Sequence, residues 1–199
     1  EQLIKQAADL GNANGEYFLA LLNRKKNDDS LPVESLLRDA AKKGNIHAQY
    51  EIAIIDNDIQ MLKMAADRNI SGASFRYASK IKEFDFNEAL FYFTIAAEQE
   101  NDPQAMIEAA QCLWNTNPQK CQSYLMNAIQ LHYPAAYSLY GRFLVSQQNH
   151  KAPISKRNEE EIAHYYHMAA SLDDPKGMLY YGLAFMEGKG VSKNYKKAH

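Results

Sequence analysis

A pair of small residues recurs along this chain in a register that constrains the fold more than any other feature. The pairs are Ala7-Ala8, Ala40-Ala41, Ala65-Ala66, Ala96-Ala97 and Ala169-Ala170, with Asn127-Ala128 as a degenerate member. Their first positions lie 33, 25, 31, 31 and 42 residues apart, the range of helical-hairpin repeats. Three residues before each pair stands a large residue: Ile4, Leu37, Leu62, Phe93, Tyr124 or Tyr166. Seven or eight residues after the second member stands Gly15, Ala48, Ala73, Ala105, Ala136 or Gly177. Five residues further on comes Ala20, Ala53, Ala78, Ala110, Gly141 or Gly182, each preceded by Leu19, Ile52, Tyr77, Ala109, Tyr140 or Tyr181.

Small residues recurring on one helix face let a second helix approach closely, and large residues one turn away fill the space beyond. Each unit is therefore expected to be two antiparallel helices, A and B. The A helices are placed over 15–24, 47–56, 73–83, 104–115, 135–147 and 176–187. The B helices are placed over 2–10, 33–43, 58–68, 86–99, 119–131 and 158–171, with another beginning near 194. Gly11, Gly44 and Asn69 follow helix ends where a left-handed residue is wanted. Pro32, Pro103, Pro118, Pro134 and Pro175 sit at helix starts, and Asn57-Asp58 and Ser192 read as N-caps. The longest loop, 147–158, contains Pro153 and accounts for the widest spacing. So short a hairpin cannot bury its own apolar face, so the copies are expected to stack as one domain over 1–199.

The last copy carries the most detailed pattern: Gly177-Met-Leu-Tyr-Tyr-Gly182-Leu-Ala-Phe185-Met-Glu-Gly188-Lys-Gly190-Val191, then Asn194-Tyr195-Lys196-Lys197-Ala198. It resembles the Sel1-like repeat, a relative of the tetratricopeptide repeat, in its small residue, Tyr-Gly, aromatic, Gly-x-Gly-Val and Lys-Ala. The earlier copies lack Gly-x-Gly-Val, and the unit around Ala48–Ala66 is short for that family. The resemblance implies an all-α, right-handed α-solenoid of stacked helix–turn–helix repeats that acts as an adaptor or scaffold in protein complexes. It implies no catalysis. Cys112 and Cys121 do not match the position of the disulfide that some members carry. They flank the turn at 115–118, so either a bridge or two free thiols is compatible with the sequence.

Composition narrows the function further. A net charge of −2 supplies no basic excess for a phosphate backbone, so nucleic acid is not an expected partner. No apolar run is long enough to span a bilayer, so direct membrane insertion is not expected. The chain opens at Glu1 without a Met and stops just after a helix is expected to start, so it reads as a segment of a longer protein. His164 and His167 stand on adjacent turns of a B helix, but no third ligand is fixed near them, and they read as solvated helix histidines. Glu159-Glu160-Glu161 suits a helix N-terminus, and Gly188-Lys-Gly190 lacks the spacing and the hydroxyl of a phosphate loop. No catalytic residue, metal or cofactor is expected.

One stripe has a functional reading. In tetratricopeptide-like stacks the A helices line the concave face, and the resemblance assigns to it Tyr17, Tyr50, Phe75 and Ile107, then Gln111, Trp114 and Arg142. An aromatic ladder of this kind anchors a peptide or a helix, or else packs neighbouring A helices together. The expected function is a protein-interaction module whose partner is another protein or a peptide segment. The alternative is a regulatory or substrate-docking arm of a larger enzyme. Far-ultraviolet circular dichroism should give a helix-dominated spectrum; a strand content near the globular average of about 20–25% would refute the fold.

Overall fold

The computed structural model describes residues 1–26, 32–148 and 155–198, and among them the regular structure is twelve α-helices with no strand. The first six are α1 (Gln2–Asp9), α2 (Ala13–Lys25), α3 (Val33–Lys42), α4 (Ile46–Asp56), α5 (Ile59–Asp67) and α6 (Ala73–Ile81). They are followed by α7 (Phe86–Gln99), α8 (Pro103–Leu113), α9 (Pro118–Gln130), α10 (Pro134–Ser146), α11 (Lys156–Ser171) and α12 (Pro175–Glu187). The odd-numbered helices are the expected B helices and the even-numbered ones the A helices. The chain divides into two compact units, Glu1–Ile95 and Ala96–His199, the border falling inside α7.

Each B helix ends in the same way. The second residue beyond it is left-handed: Gly11, Gly44, Asn69, Asn101, His132 or Asp173, with φ between +54° and +91°. In five copies the next amide then donates back to the carbonyl of a B-helix alanine. Asn12 reaches Ala7 at 3.0 Å, Asn45 reaches Ala40 at 3.0 Å, Ile70 reaches Ala65 at 3.0 Å, Tyr133 reaches Ala128 at 3.1 Å and Asp174 reaches Ala169 at 3.0 Å. This is a Schellman closure, which satisfies the last helix carbonyls and turns the chain sharply into the A helix. After α7 the turn holds one more residue, and Asp102 reaches Ala96 at 3.2 Å. In four copies the closing residue is also the N-cap of the A helix. Asn12 Oδ1 accepts from Gly15 N, Asn45 Oδ1 from Ala48 N, Asp102 Oδ1 from Gln104 N and Asp174 Oδ2 from Gly177 N, at 2.9, 2.8, 2.8 and 2.7 Å. The prolines at 103, 118, 134 and 175 each open a helix, where a missing N–H costs nothing.

These closures correct the expected register at one copy. The pair equivalent to Ala7-Ala8 in α9 is Ala128-Ile129, not Asn127-Ala128, and the large residue three before it is Leu125, fully buried. Tyr124 instead turns its hydroxyl outward and donates to Glu98 Oε1 at 2.6 Å. Two further expectations change. The segment near 194 forms a single turn at 195–197 and not a helix among the described residues. Its cap is Asn194, whose Oδ1 accepts from the amides of Lys196 and Lys197 at 3.1 and 3.2 Å, and not Ser192. Asn57 is the left-handed end of α4, and Asp58 alone caps α5. Pro153 lies outside the described residues.

Packing follows the small residues. In Glu1–Ile95, Ala20, Leu37, Ala40, Ala48 and Ile52 form one buried cluster, with Tyr17 and Leu36 at its edge. Tyr77 and Tyr92 meet edge to face at 4.8 Å, and the Tyr92 hydroxyl donates to Asp67. Burial, with Asp67 second, pushes that phenol up to about 12. In Ala96–His199 the bond from Tyr124 and the ammonium of Lys120, 3.2 Å away, hold Glu98 below the usual carboxylate range. Exposed ion pairs of this kind contribute about 1 kcal/mol at most. Their use is to fix which B-helix residues lie opposite each other.

The first small residue of an A helix approaches the preceding B helix closely where it is glycine. A Cβ on Gly177 would lie 2.3 Å from Ala169 Cβ, and one on Gly15 would lie 2.7 Å from Ala8 N. Gly177→Ala should therefore lower the urea midpoint, although Gly→Ala in an open helix gains about 1 kcal/mol. Forced bulk at a filled contact costs about 1–3 kcal/mol. A raised midpoint would show that the two helices have room to spare.

Candidate functional site

The seven residues expected to meet a partner fall in both units. In Glu1–Ile95, Tyr17, Tyr50 and Phe75 occupy one register position, two residues after Gly15, Ala48 and Ala73, in α2, α4 and α6. All three are half-buried. Tyr17 stacks on His47 at 5.7 Å with 26° between the rings, and its inner edge packs on the Leu37 cluster. Burial and then Glu51 raise its phenol above the ordinary value. Phe75 touches Phe93 at 5.8 Å and lines a cleft of about 170 Å³ with Ile54, Leu62 and Arg76. The Tyr50 hydroxyl stands beside the left-handed Gly72, where a Cβ would come within 3.1 Å of it. Each ring thus has one side in the core and one side accessible, which serves both packing and binding.

In Ala96–His199 the same register position does something else. Ile107 is only 8% exposed and belongs to the core, and its counterpart in α10 is Ser138, at 2%. The accessible aromatic stripe does not extend through these two copies. The other three residues do converge: Gln111, Trp114 and Arg142 line one open cleft of about 320 Å³ with Asn115 and Leu139. Gln111 and Arg142 each stand six residues after the small residue that opens their helix, and both are exposed. Trp114 ends α8, and its ring meets Phe143 edge to face at 5.4 Å. The Arg142 guanidinium lies over Trp114 at 6.0 Å and over Tyr180 at 5.9 Å, a cation held near two aromatic faces.

Tyr180 is the functional candidate that sequence reasoning missed. Tyr180 and Tyr181 are adjacent on α12, and the repeat register marks only Tyr181. Tyr181 turns instead to His167 at 5.0 Å and to Phe185 at 4.7 Å. His164 contacts Tyr165 at 5.9 Å. Among the described residues no group of three His, Cys, Asp or Glu side chains could hold a metal ion. Among the described residues Cys112 and Cys121 form no disulfide, and burial pushes the Cys121 thiol up to about 11.

The geometry defines a helical-hairpin repeat protein with two candidate surfaces. No protein-family model matches the sequence, and no curated protein matches it. Among solved structures, it is similar to a protective antigen present in uropathogenic Escherichia coli strains that displays an SLR fold. There the TM-score is 0.81 and the identity 17%, over 99% of this chain and 46% of that one. It is also similar to a Sel1 repeat protein from Oxalobacter formigenes, with a TM-score of 0.64 and 18% identity, over 99% of this chain and 62% of that one. The fold is the Sel1-repeat fold, an α-solenoid of stacked hairpins. This chain spans about half to two-thirds of the length of those two proteins. Among the described residues no helix is long and apolar enough to cross a membrane.

The arrangement around Trp114 separates core from surface. Phe143→Ala removes a ring that is 3% exposed and should cost about 3–5 kcal/mol. Arg142→Gln removes an exposed group and should change stability by less than about 1 kcal/mol. Chemical denaturation of the two variants checks this; equal losses would mean that Arg142 is a structural strut and not a groove residue.

Proposed function

We propose that this chain is a protein-interaction scaffold that binds a segment of another protein on the face exposed by its A helices, the concave face in stacks of this kind, and carries out no chemistry itself. The observation that carries the reading is the cleft in Ala96–His199 where half-buried Trp114 converges with the exposed Gln111 and Arg142. Arginine and tryptophan are enriched among residues that dominate binding energy, because they combine a large contact area with directed hydrogen bonds. In Glu1–Ile95 the accessible sides of Tyr17, Tyr50 and Phe75 supply a second set of anchors, rigid rings that lose little rotamer entropy on binding. A net charge of −2 favours a protein partner over a nucleic acid.

The test is to capture partners from lysate, identify one, and measure its affinity for Tyr50→Ala, Phe75→Ala and Trp114→Ala beside melting curves. Removal of a true anchor should cost about 2 kcal/mol or more of binding, near thirtyfold, in protein that is still folded at the assay temperature. Collapse of the melting temperature with unchanged affinity of the folded fraction would assign the rings to the core and defeat the reading.

A further inference from the structure

The ring of Tyr180, which the Arg142 guanidinium overlies at 5.9 Å, also walls an apolar cleft. The second cleft, of about 190 Å³, lies between α10, α11 and α12 and is walled by Val145, Ile162, Tyr166, Tyr180 and Leu183. Its inner wall is well packed: Ile162 and Tyr166 are buried, and Tyr166 packs on Tyr180 at 5.1 Å. Its mouth is unpartnered, because Val145 is 39% and Leu183 40% exposed. Val145 stands one turn beyond Arg142 on α10, so the two side chains share a helix face. The volume is below the about 300–1,000 Å³ of small-molecule sites and suits a single large apolar side chain.

Charge fixes the other half of the ligand. Among the described residues Arg142 has no carboxylate partner, and its neighbours in the cleft are the uncharged amides of Gln111 and Asn115. The guanidinium lies over the rings of Trp114 and Tyr180. Its edge donors remain for an acceptor in the cleft, and a planar carboxylate matches them two at a time. On the far rim of the apolar cleft the sign reverses. Glu187 is paired with Lys189 at 2.7 Å, and Glu159 stands beside them, so an acidic group is favoured only on the Arg142 side.

We infer that the two clefts form one two-point site for a peptide segment that places an Asp or Glu carboxylate on Arg142 and a neighbouring large apolar side chain in the pocket between Val145, Tyr180 and Leu183. The inference rests on the reading of the A-helix face as a partner-binding surface and specifies the partner's chemistry. The Arg142 position is partly pre-ordered by the two rings, so less freedom is lost when the carboxylate arrives.

The probe is a random-peptide phage library panned on the whole chain, followed by fluorescence anisotropy of a labelled recovered peptide. Recovered sequences should be enriched in an acidic residue within a few positions of Leu, Ile, Met or Phe. The peptide should bind about tenfold or more weakly to Arg142→Gln and to Leu183→Asp, and its Asp→Asn and apolar→Ala versions should lose as much on the unaltered protein. Panning Arg142→Glu should exchange the acidic preference for a basic one. Melting curves of each variant, matching the unaltered protein, confirm that binding is being read. Peptides without an acidic excess, acidic peptides that bind Arg142→Gln unchanged, or a phosphoserine peptide about tenfold tighter than its aspartate counterpart would each overturn the inference. If peptides of another composition are recovered and lose affinity on Tyr50→Ala or Phe75→Ala, the partner-binding reading stands while this site fails. Recovery of no peptide at all overturns both.

Discussion

The architecture depends on the contact where the first small residue of an A helix rests on the alanine pair that ends the preceding B helix. A left-handed residue turns the chain there, and the next amide bonds back to the first alanine of the pair, so the hairpin angle is set within a few residues. The following helix then arrives with its backbone nearly touching that of its partner, which leaves no room for a larger side chain at Gly15 or Gly177. At the equivalent position Ala48, Ala73, Ala105 and Ala136 are fully buried. A methyl group is therefore the largest feature present at any of these contacts. Once the angle is fixed, the residues one turn away fall into place: Leu37, Leu62, Phe93 and Leu125 are almost wholly buried and fill the wedge between diverging helices. Loss of such a side chain costs about 2–5 kcal/mol, so the small contact and the large filler are two halves of one packing unit.

This economy explains why the fold could be read from the sequence. Small and large residues recur at fixed distances because the backbone contact repeats, and helix boundaries follow from the closure chemistry of Gly, Asn and Asp. Where that chemistry is atypical, the reading slips. In α9 the left-handed position is His132 and the following cap is Tyr133, neither of which advertises a turn, so the sequence pattern places the alanine pair one residue early. After α7 the turn carries an additional residue, which the spacing registers as eight in place of seven. At 194–198 the sequence resembles a helix start, whereas the structure there is a capped turn lying over Gly182.

The candidate site was legible only in part, for a physical reason. Register states which residues share a face, but not how far a side chain reaches or which of two adjacent rings turns outward. Ile107 shares the register of Tyr17, Tyr50 and Phe75 yet is swallowed by the core, whereas Leu179 at the same register position of α12 is exposed. Tyr180 carries no repeat signature, and its position over Arg142 is a property of three-dimensional packing between α10 and α12.

Freedom from packing is what allows a repeat to acquire specificity. Six residues after the opening small residue, successive A helices carry Leu21, Ile54, Ser79, Gln111, Arg142 and Leu183. None of these is buried, and their chemistry ranges from aliphatic to cationic, whereas the position one before it holds only Ala or Gly. A side chain that the stack does not require can be spent on a ligand without loss of the fold. The cation of the polar cleft and one rim of the apolar cleft, Arg142 and Leu183, are neighbouring members of that series. The same backbone repetition that keeps the alanines small therefore presents, beside them, a row of positions open to change.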